Sequence, residues 1–224
     1  MLREVIGDLL PTALAVALSP IPVIAVVLVL GSSRARTSGP LFALGWVAGL
    51  SAVAALVVLV LSSVFDSGSD AEEQGVAWLK LAIGVSFVLL GAAQWRKRPA
   101  AGEEAKMPGW MATVDSATPG RAAVLGVALS AANPKNLALT VAAAATVAEA
   151  GLDTAEEAAA IAVFVAIGSA FVLGAVAVRL AGGERAAKPL AQIREFMAAN
   201  NAVIMTVVLL LLGMKLAGDA LPAI

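Results

Sequence analysis

The chain has 224 residues, 60% hydrophobic and only 14% charged, with a formal net charge of −1. A water-soluble domain carries about 25% charged residues, so a soluble enzyme or carrier is excluded and an integral membrane protein is expected. Neither cysteine nor histidine is present, which removes disulfides, thiolate metal sites, thiol nucleophiles and imidazole acid–base chemistry.

A membrane-spanning helix needs roughly 20 apolar residues, and six stretches qualify. Span one is Val5–Gly31, interrupted at Ser19-Pro20-Ile21-Pro22; span two is Leu41–Val64; span three is Val76–Trp95. A polar stretch from Arg96 to Arg121 follows. Span four is Ala122–Ala148, interrupted at Asn133-Pro134. Span five is Ala155–Val178, a charged connection covers Arg179–Glu195, and span six is about Ala198–Leu216. The runs are long and lack period-2 alternation, so the expected fold is all-α rather than a barrel. Ala15-Val16-Ala17 imitates a signal-cleavage site, but Arg3 is offset by Glu4 and the segment is read as a span.

Loop charge sets the expected orientation. Arg34 and Arg36, then Arg96, Lys97, Arg98, Lys106 and Arg121, then Arg179, Arg185, Lys188 and Arg194 all fall on one side of a six-span chain. Asp66, Asp70, Glu72 and Glu73, and then Glu149, Asp153, Glu156 and Glu157, fall on the other. The positive-inside rule puts the basic side in the cytoplasm and both termini outside. Trp78 and Trp95, at opposite ends of span three, suit interfacial anchoring and equally suit ordinary packing. Gly109–Asp115, with Trp110 and Met111, suits either a short interfacial helix or an ordinary connection. Arg96-Lys97-Arg98 reads first as a topology determinant and second as an attractor of anionic lipid headgroups.

The chain reads as one transmembrane domain built twice: repeat 1 over about 5–95, a cytoplasmic connection over 96–121, and repeat 2 over about 122–216. Val16-Ala17-Leu18-Ser19 recurs as Val127-Ala128-Leu129-Ser130, each copy followed by a helix-breaking proline. Leu89-Leu90-Gly91 in span three recurs as Leu211-Leu212-Gly213 in span six. Three spans per half give the halves opposite orientation, the inverted-repeat pattern of many secondary transporters.

Proline inside a helix costs about 3 kcal/mol but suits the first position after a capping residue. Ser19-Pro20 and Asn133-Pro134 therefore read as helix restarts, splitting spans one and four into half-helices near the midplane; a simple kink is the other reading for span one. Each restart offers a helix N-terminus carrying roughly +0.5 charge. Lys135 adds a full charge about 20 Å from either end of its span, too deep to snorkel. A lysine at that depth costs about 2.5–3.5 kcal/mol on insertion scales and marks a functional site by default. With no carboxylate at similar depth, it suits an anionic ligand or a lysine that cycles protons.

Three stretches carry a family resemblance: LSPIPVIAVVLVL, GPLFALGWVAGL and VDSATPGRAAVLGVALSAANPKNLALTVAAA. Together they resemble the GAP family of Sap-like proteins, named for peptidoglycolipid or sulfolipid addressing, within the LysE transporter superfamily. Asn133-Pro134-Lys135-Asn136 is the strongest element. The resemblance covers nearly the whole chain. It implies an actinobacterial-type plasma-membrane protein that helps export a cell-envelope glycolipid, with a core of two inverted three-helix repeats.

The leading expectation is a secondary-type exporter of an anionic envelope glycolipid or lipid-linked substrate, working by alternating access. Ser19, Pro20, Pro22, Ser130, Asn133, Pro134, Lys135 and Asn136 would line the central site. Lys135 and the helix N-termini would hold the headgroup, the asparagines would hydrogen-bond it, and the prolines would hinge the halves. Asp8 is a candidate outer proton acceptor. No cofactor or metal is expected: there is no nucleotide-binding P-loop and no deep carboxylate cluster for a cation. The expected partners are membrane lipids and an anionic lipid or small anionic substrate, with no nucleic acid; a homo-oligomer or an envelope-lipid biosynthesis partner stays open. A LysE-type amino-acid exporter and an accessory scaffold of a lipid-export machine are the alternatives. An intramembrane enzyme would need a Ser–Lys pair, and Ser130 sits about 500° around the helix from Lys135.

Overall fold

The structure is a computed structural model. It describes residues 1–66, 70–96, 98 and 118–221, side chains of 64–73 excepted. The Gly109–Asp115 segment, Lys97 and Lys106 lie outside the described residues.

Every described element is helical. The helices run α1 (Leu2–Ala17), α2 (Pro20–Gly31), α3 (Ala35–Asp66), α4 (Asp70–Arg96) and α5 (Pro119–Val127). α5 continues through a π-helical turn, Ala128–Ala132. Then come α6 (Pro134–Glu149), α7 (Thr154–Gly168), α8 (Ala170–Gly182), a 3₁₀ turn at Gly183–Ala186, α9 (Ala187–Ala199) and α10 (Asn201–Ala220).

By length and composition, three helices can cross a membrane, α3, α4 and α10, and five if each bent pair, α1–α2 and α7 with α8–α9, counts as one span. The shortfall against six falls on expected span four. Its pieces are the short apolar Pro119–Ala132 and the 16-residue α6, each below the length a span needs.

Both restarts form at the Ser-Pro and Asn-Pro pairs, but only Asn133 caps its helix through the side chain; the expected Ser19 cap does not form, because its hydroxyl turns to Ala15 and Asn136. Proline pushes the residue before it out of the helical region. Ser19 takes φ −66°, ψ 113° and Asn133 takes φ −69°, ψ 117°, almost the same backbone. Pro20 and Pro134 then open α2 and α6. α1 and α2 meet at 51°. The restarted halves are the innermost elements: ten of the twelve residues of α2 are buried, and Ala142 to Ala145 of α6 are all within 2% of full burial.

A third break is not foreshadowed by proline. Expected span five bends by 55° at Ser169, whose backbone sits at φ −97°, ψ −5°. Gly168-Ser169 is the sort of small pair at which helices kink. A Cβ on Gly168 would lie 3.3 Å from Val16 and 3.7 Å from Leu50, so this break abuts the end of α1. Three interruptions thus gather at one level of the bundle.

The expected charged connection at Arg179–Glu195 is itself mostly helical. α9 buries Leu190 and Met197, and it lines a cavity of about 320 Å³ together with α2 and α8. Arg179, at the end of α8, donates from Nε to the carbonyl of Leu30 at 3.0 Å and from a terminal nitrogen to Glu184 at 2.7 Å. It thereby satisfies an orphan carbonyl in the last turn of α2.

Two helix pairs approach closely through glycine. Gly45 and Gly126 seat α3 against α5: a Cβ on Gly126 would fall 2.2 Å from the Phe42 carbonyl oxygen. Gly84 and Gly213 do the same for α4 and α10, where a Cβ on either would fall within 2.8 Å of the other's carbonyl oxygen. Small residues allow such backbone contact between helices in lipid, where no hydrophobic force draws them together.

Candidate functional site

The level of the three breaks holds a polar cluster within apolar surroundings. Lys135 is the second residue of α6, and its backbone N–H donates to the Asn133 side chain at 3.1 Å, the cap that starts the helix. Its side chain crosses to the other broken span. Nζ donates to the Ala15 carbonyl at 3.0 Å and to Ser19 Oγ at 2.7 Å. Ser19 Oγ donates to Asn136 Oδ1 at 2.9 Å or to the Ala15 carbonyl at 3.2 Å. Asn136, fully buried, donates from Nδ2 to the Leu129 carbonyl at 2.9 Å. Residues 116 and more apart in sequence are thus tied into one network, which answers the polar groups that the two breaks expose.

Lys135 forms no ion pair among the described residues. Its Nζ is held by a carbonyl and a hydroxyl. It also lines an open cavity of about 550 Å³ between α4, α6 and α10. The walls are mainly apolar, with Ile83, Phe87, Leu90, Met205 and Leu209; the polar groups are Ser86, Gln94, Asn133 and Lys135. The cavity thus sets one lysine and a few hydrogen-bonding groups against apolar walls.

The other expected residues are placed as follows. Pro134 lines the same cavity. Pro20 and Pro22 are in the first turn of α2, Pro20 buried and Pro22 buried, and they shape the break rather than face the cavity. Ser130 is buried in the π-helical turn and donates to the Val127 carbonyl at 3.1 Å. It presses on α3, since a Cβ on Gly49 would lie 2.1 Å from its Oγ, and it is not bonded into the Lys135 network. Asp8 is exposed on α1 and makes no side-chain hydrogen bond among the described residues.

Two further polar features stand out. Ser169, at the third break, is fully buried and its hydroxyl has no partner among the described residues. Lys80, inside expected span three, is buried and paired with Glu149. A lone lysine in an apolar run is the sequence signal that could have found Lys80; its partner, 69 residues away, has no such signal.

A family model described as Sap, sulfolipid-1-addressing protein, matches residues 9–221. The chain belongs to this family. The match takes in all three breaks and the whole Lys135 network of the Sap-family chain, and begins one residue after Asp8. No curated protein and no solved structure matches it.

Proposed function

We propose that this Sap-family protein is a secondary-type membrane transporter. It moves an anionic envelope glycolipid or lipid-linked substrate outward across the plasma membrane by alternating access, without a cofactor and without enzymatic turnover. The family's name, addressing of a sulfolipid, supports a role in lipid export or localisation. The observation that carries the reading is Lys135: a cation at the meeting of two broken spans, with no carboxylate partner among the described residues, facing a cavity with apolar walls. An anionic headgroup would meet Lys135 and the capping asparagine, and its acyl chains would lie against α4 and α10.

The proposal includes six spans arranged as two inverted three-helix repeats, both termini extracytoplasmic, in the LysE-superfamily manner. Reciprocal contacts support the repeat. Aligning Gly91 with Gly213 pairs Gly84 with Thr206 and Val88 with Leu210. Gly213 meets Gly84 and Val88, and Gly91 meets Leu210 and accepts the Thr206 hydroxyl at 3.4 Å. Each half touches the other through equivalent positions, as a two-fold axis in the membrane plane requires.

An amino-acid carboxylate would also suit Lys135, but the apolar walls favour a ligand with a chain. The test is reconstitution in liposomes, following a labelled anionic lipid, a labelled zwitterionic lipid and labelled amino acids. Export of the anionic lipid, lost in Lys135→Met, is the expected result. Amino-acid flux without lipid movement would replace this reading by that of a small-solute exporter. Lipid movement unchanged in Lys135→Met would remove Lys135 from the mechanism.

A further inference from the structure

Lys80 lies on α4, about 8 Å beyond Gly75, where the apolar part of that helix begins, and it is only 6% exposed. Its Nζ donates to Oε2 of Glu149, at the last turn of α6, whose side chain is about a third exposed. The pair joins two of the three helices that wall the Lys135 cavity.

Helical spacing puts both charges on the cavity faces. Lys80, Ile83, Phe87, Leu90 and Gln94 recur at i, i+3, i+7, i+10 and i+14 on one side of α4, and the last four line the cavity. Lys135, Ala138, Ala142 and Glu149 recur at i, i+3, i+7 and i+14 on α6. Lys135 and Ala138 line the cavity, whereas Ala142 is 1% exposed and packed shut. On α4 the lining begins at Ala82, two residues from Lys80. The cavity therefore closes just short of the ion pair, and Lys135 lies about 21 Å from Glu149 along α6. Among the described residues, no other polar bond joins α4 to α6; α4 leans instead on α10 through Gly84 and Gly213.

Parting α4 from α6 at this end must break the pair. That would leave the Lys80 ammonium, buried in the closed bundle, without its partner, and a buried charge that loses its partner is strongly unfavourable. Another anion reaching Lys80 within the closed bundle can take the place of Glu149. We infer that the Lys80–Glu149 pair is a cargo-exchanged exit gate. It is shut by the ion pair and opens when the anionic group of a cargo leaving Lys135 replaces Glu149 on Lys80. The inference rests on the export reading above and adds a second anion station to it. An empty carrier then stays sealed, and a neutral amphiphile does not open it.

The chain lacks cysteine, so a single Ile83→Cys reporter, just inside the pair, reads the gate directly. The measurement is its labelling rate by a membrane-impermeant maleimide applied from the Glu149 side of oriented proteoliposomes. With the pair intact, labelling is expected to be slow, to rise about tenfold with Glu149→Gln, and to return to slow in the Lys80→Glu/Glu149→Lys exchange. Dodecyl sulfate below its micellar concentration should accelerate labelling several-fold where dodecyl maltoside does not, and Lys80→Met should abolish that difference. The gate is overturned if Glu149→Gln labels within twofold of the intact pair. Cargo exchange is overturned if the neutral amphiphile opens the gate as well as the anionic one. The amphiphile comparison uses the intact pair, so it decides the matter even where Glu149→Gln does not fold. Labelling needs no transport, so a responsive gate with no lipid export would defeat the export reading alone, and export through an unresponsive gate would defeat this inference alone.

Discussion

Replacing Lys135 by methionine separates a lysine kept for function from one kept as a clasp. The substitution removes two hydrogen bonds from an ammonium, to the Ala15 carbonyl and to Ser19 Oγ. Bonds to charged groups contribute about 1.5–3 kcal/mol each. It also removes the cost of holding a charge at this depth, about 2.5–3.5 kcal/mol, and methionine refills most of the space. Ser19 Oγ still donates to Asn136 Oδ1 or to the Ala15 carbonyl, so no more than one acceptor is left without a donor. The middle of these ranges leaves a net loss of about 1.5 kcal/mol. Asn136→Ala is the contrast. It strips the Leu129 carbonyl of its side-chain donor, takes from Ser19 an acceptor, and opens a void at a fully buried position. An unmade buried bond and a cavity together cost about 3–4 kcal/mol. For a chain of this size each kcal/mol moves the melting temperature by about 2–4 °C. In detergent, followed by loss of the monodisperse chromatographic peak on heating, Lys135→Met should therefore fall by about 3–6 °C while losing lipid export. Asn136→Ala should fall by about 10 °C. A Lys135→Met variant that melts as early as Asn136→Ala would refute the reasoning and make the lysine a structural clasp.

Three other substitutions carry definite expectations under the same thermal assay. Ser169→Ala removes a buried hydroxyl without a partner, a group that costs about 1–3 kcal/mol to leave unsatisfied, so the variant should melt a few degrees higher. Gly213→Ala puts a methyl 2.7 Å from the Gly84 carbonyl oxygen. α4 and α10 must part, and a loss of about 2 kcal/mol or more is expected as overpacking; an unchanged melt would show that the crossing is looser than described. Arg179→Met frees the Leu30 carbonyl at the end of α2 and should cost about 1–2 kcal/mol, whereas Arg185→Met, on an exposed neighbour, should cost little.

The two proline restarts were legible because proline opens a helix and bars the residue before it from one, a local rule that needs no tertiary knowledge; that Ser19 would bond across to another helix rather than cap its own was not. Lys135 was legible as the one charge in the apolar run Ala122–Ala148. What its side chain does was not, since Ala15 and Ser19 lie on another helix and no local pattern points to them. Ser130 shows the reverse: it repeats Ser19 in sequence, yet the π-helical turn between it and Pro134 turns it onto Gly49. The bend at Ser169 had only Gly168-Ser169 as its sign, a pair that helices in membranes often carry without bending. The Arg179–Glu195 segment read as a connection because its charges outweigh, by eye, the apolar positions Leu190, Ile193 and Met197. Spaced at i, i+3 and i+7, those three are the inward stripe of α9.

The order in which the two buried lysines meet their partners has a consequence for how the chain is made. Ala15 and Ser19 are synthesised 116 or more residues before Lys135, so when Lys135 enters the bilayer its acceptors are already there. Lys80 is made first and waits 69 residues for Glu149, about 4–14 s at ordinary elongation rates. It lies about 8 Å along its helix from the start of the apolar run, within reach of the membrane surface for a side chain that snorkels. The lysine that has to wait is the one shallow enough to do so, and the one too deep to wait arrives last.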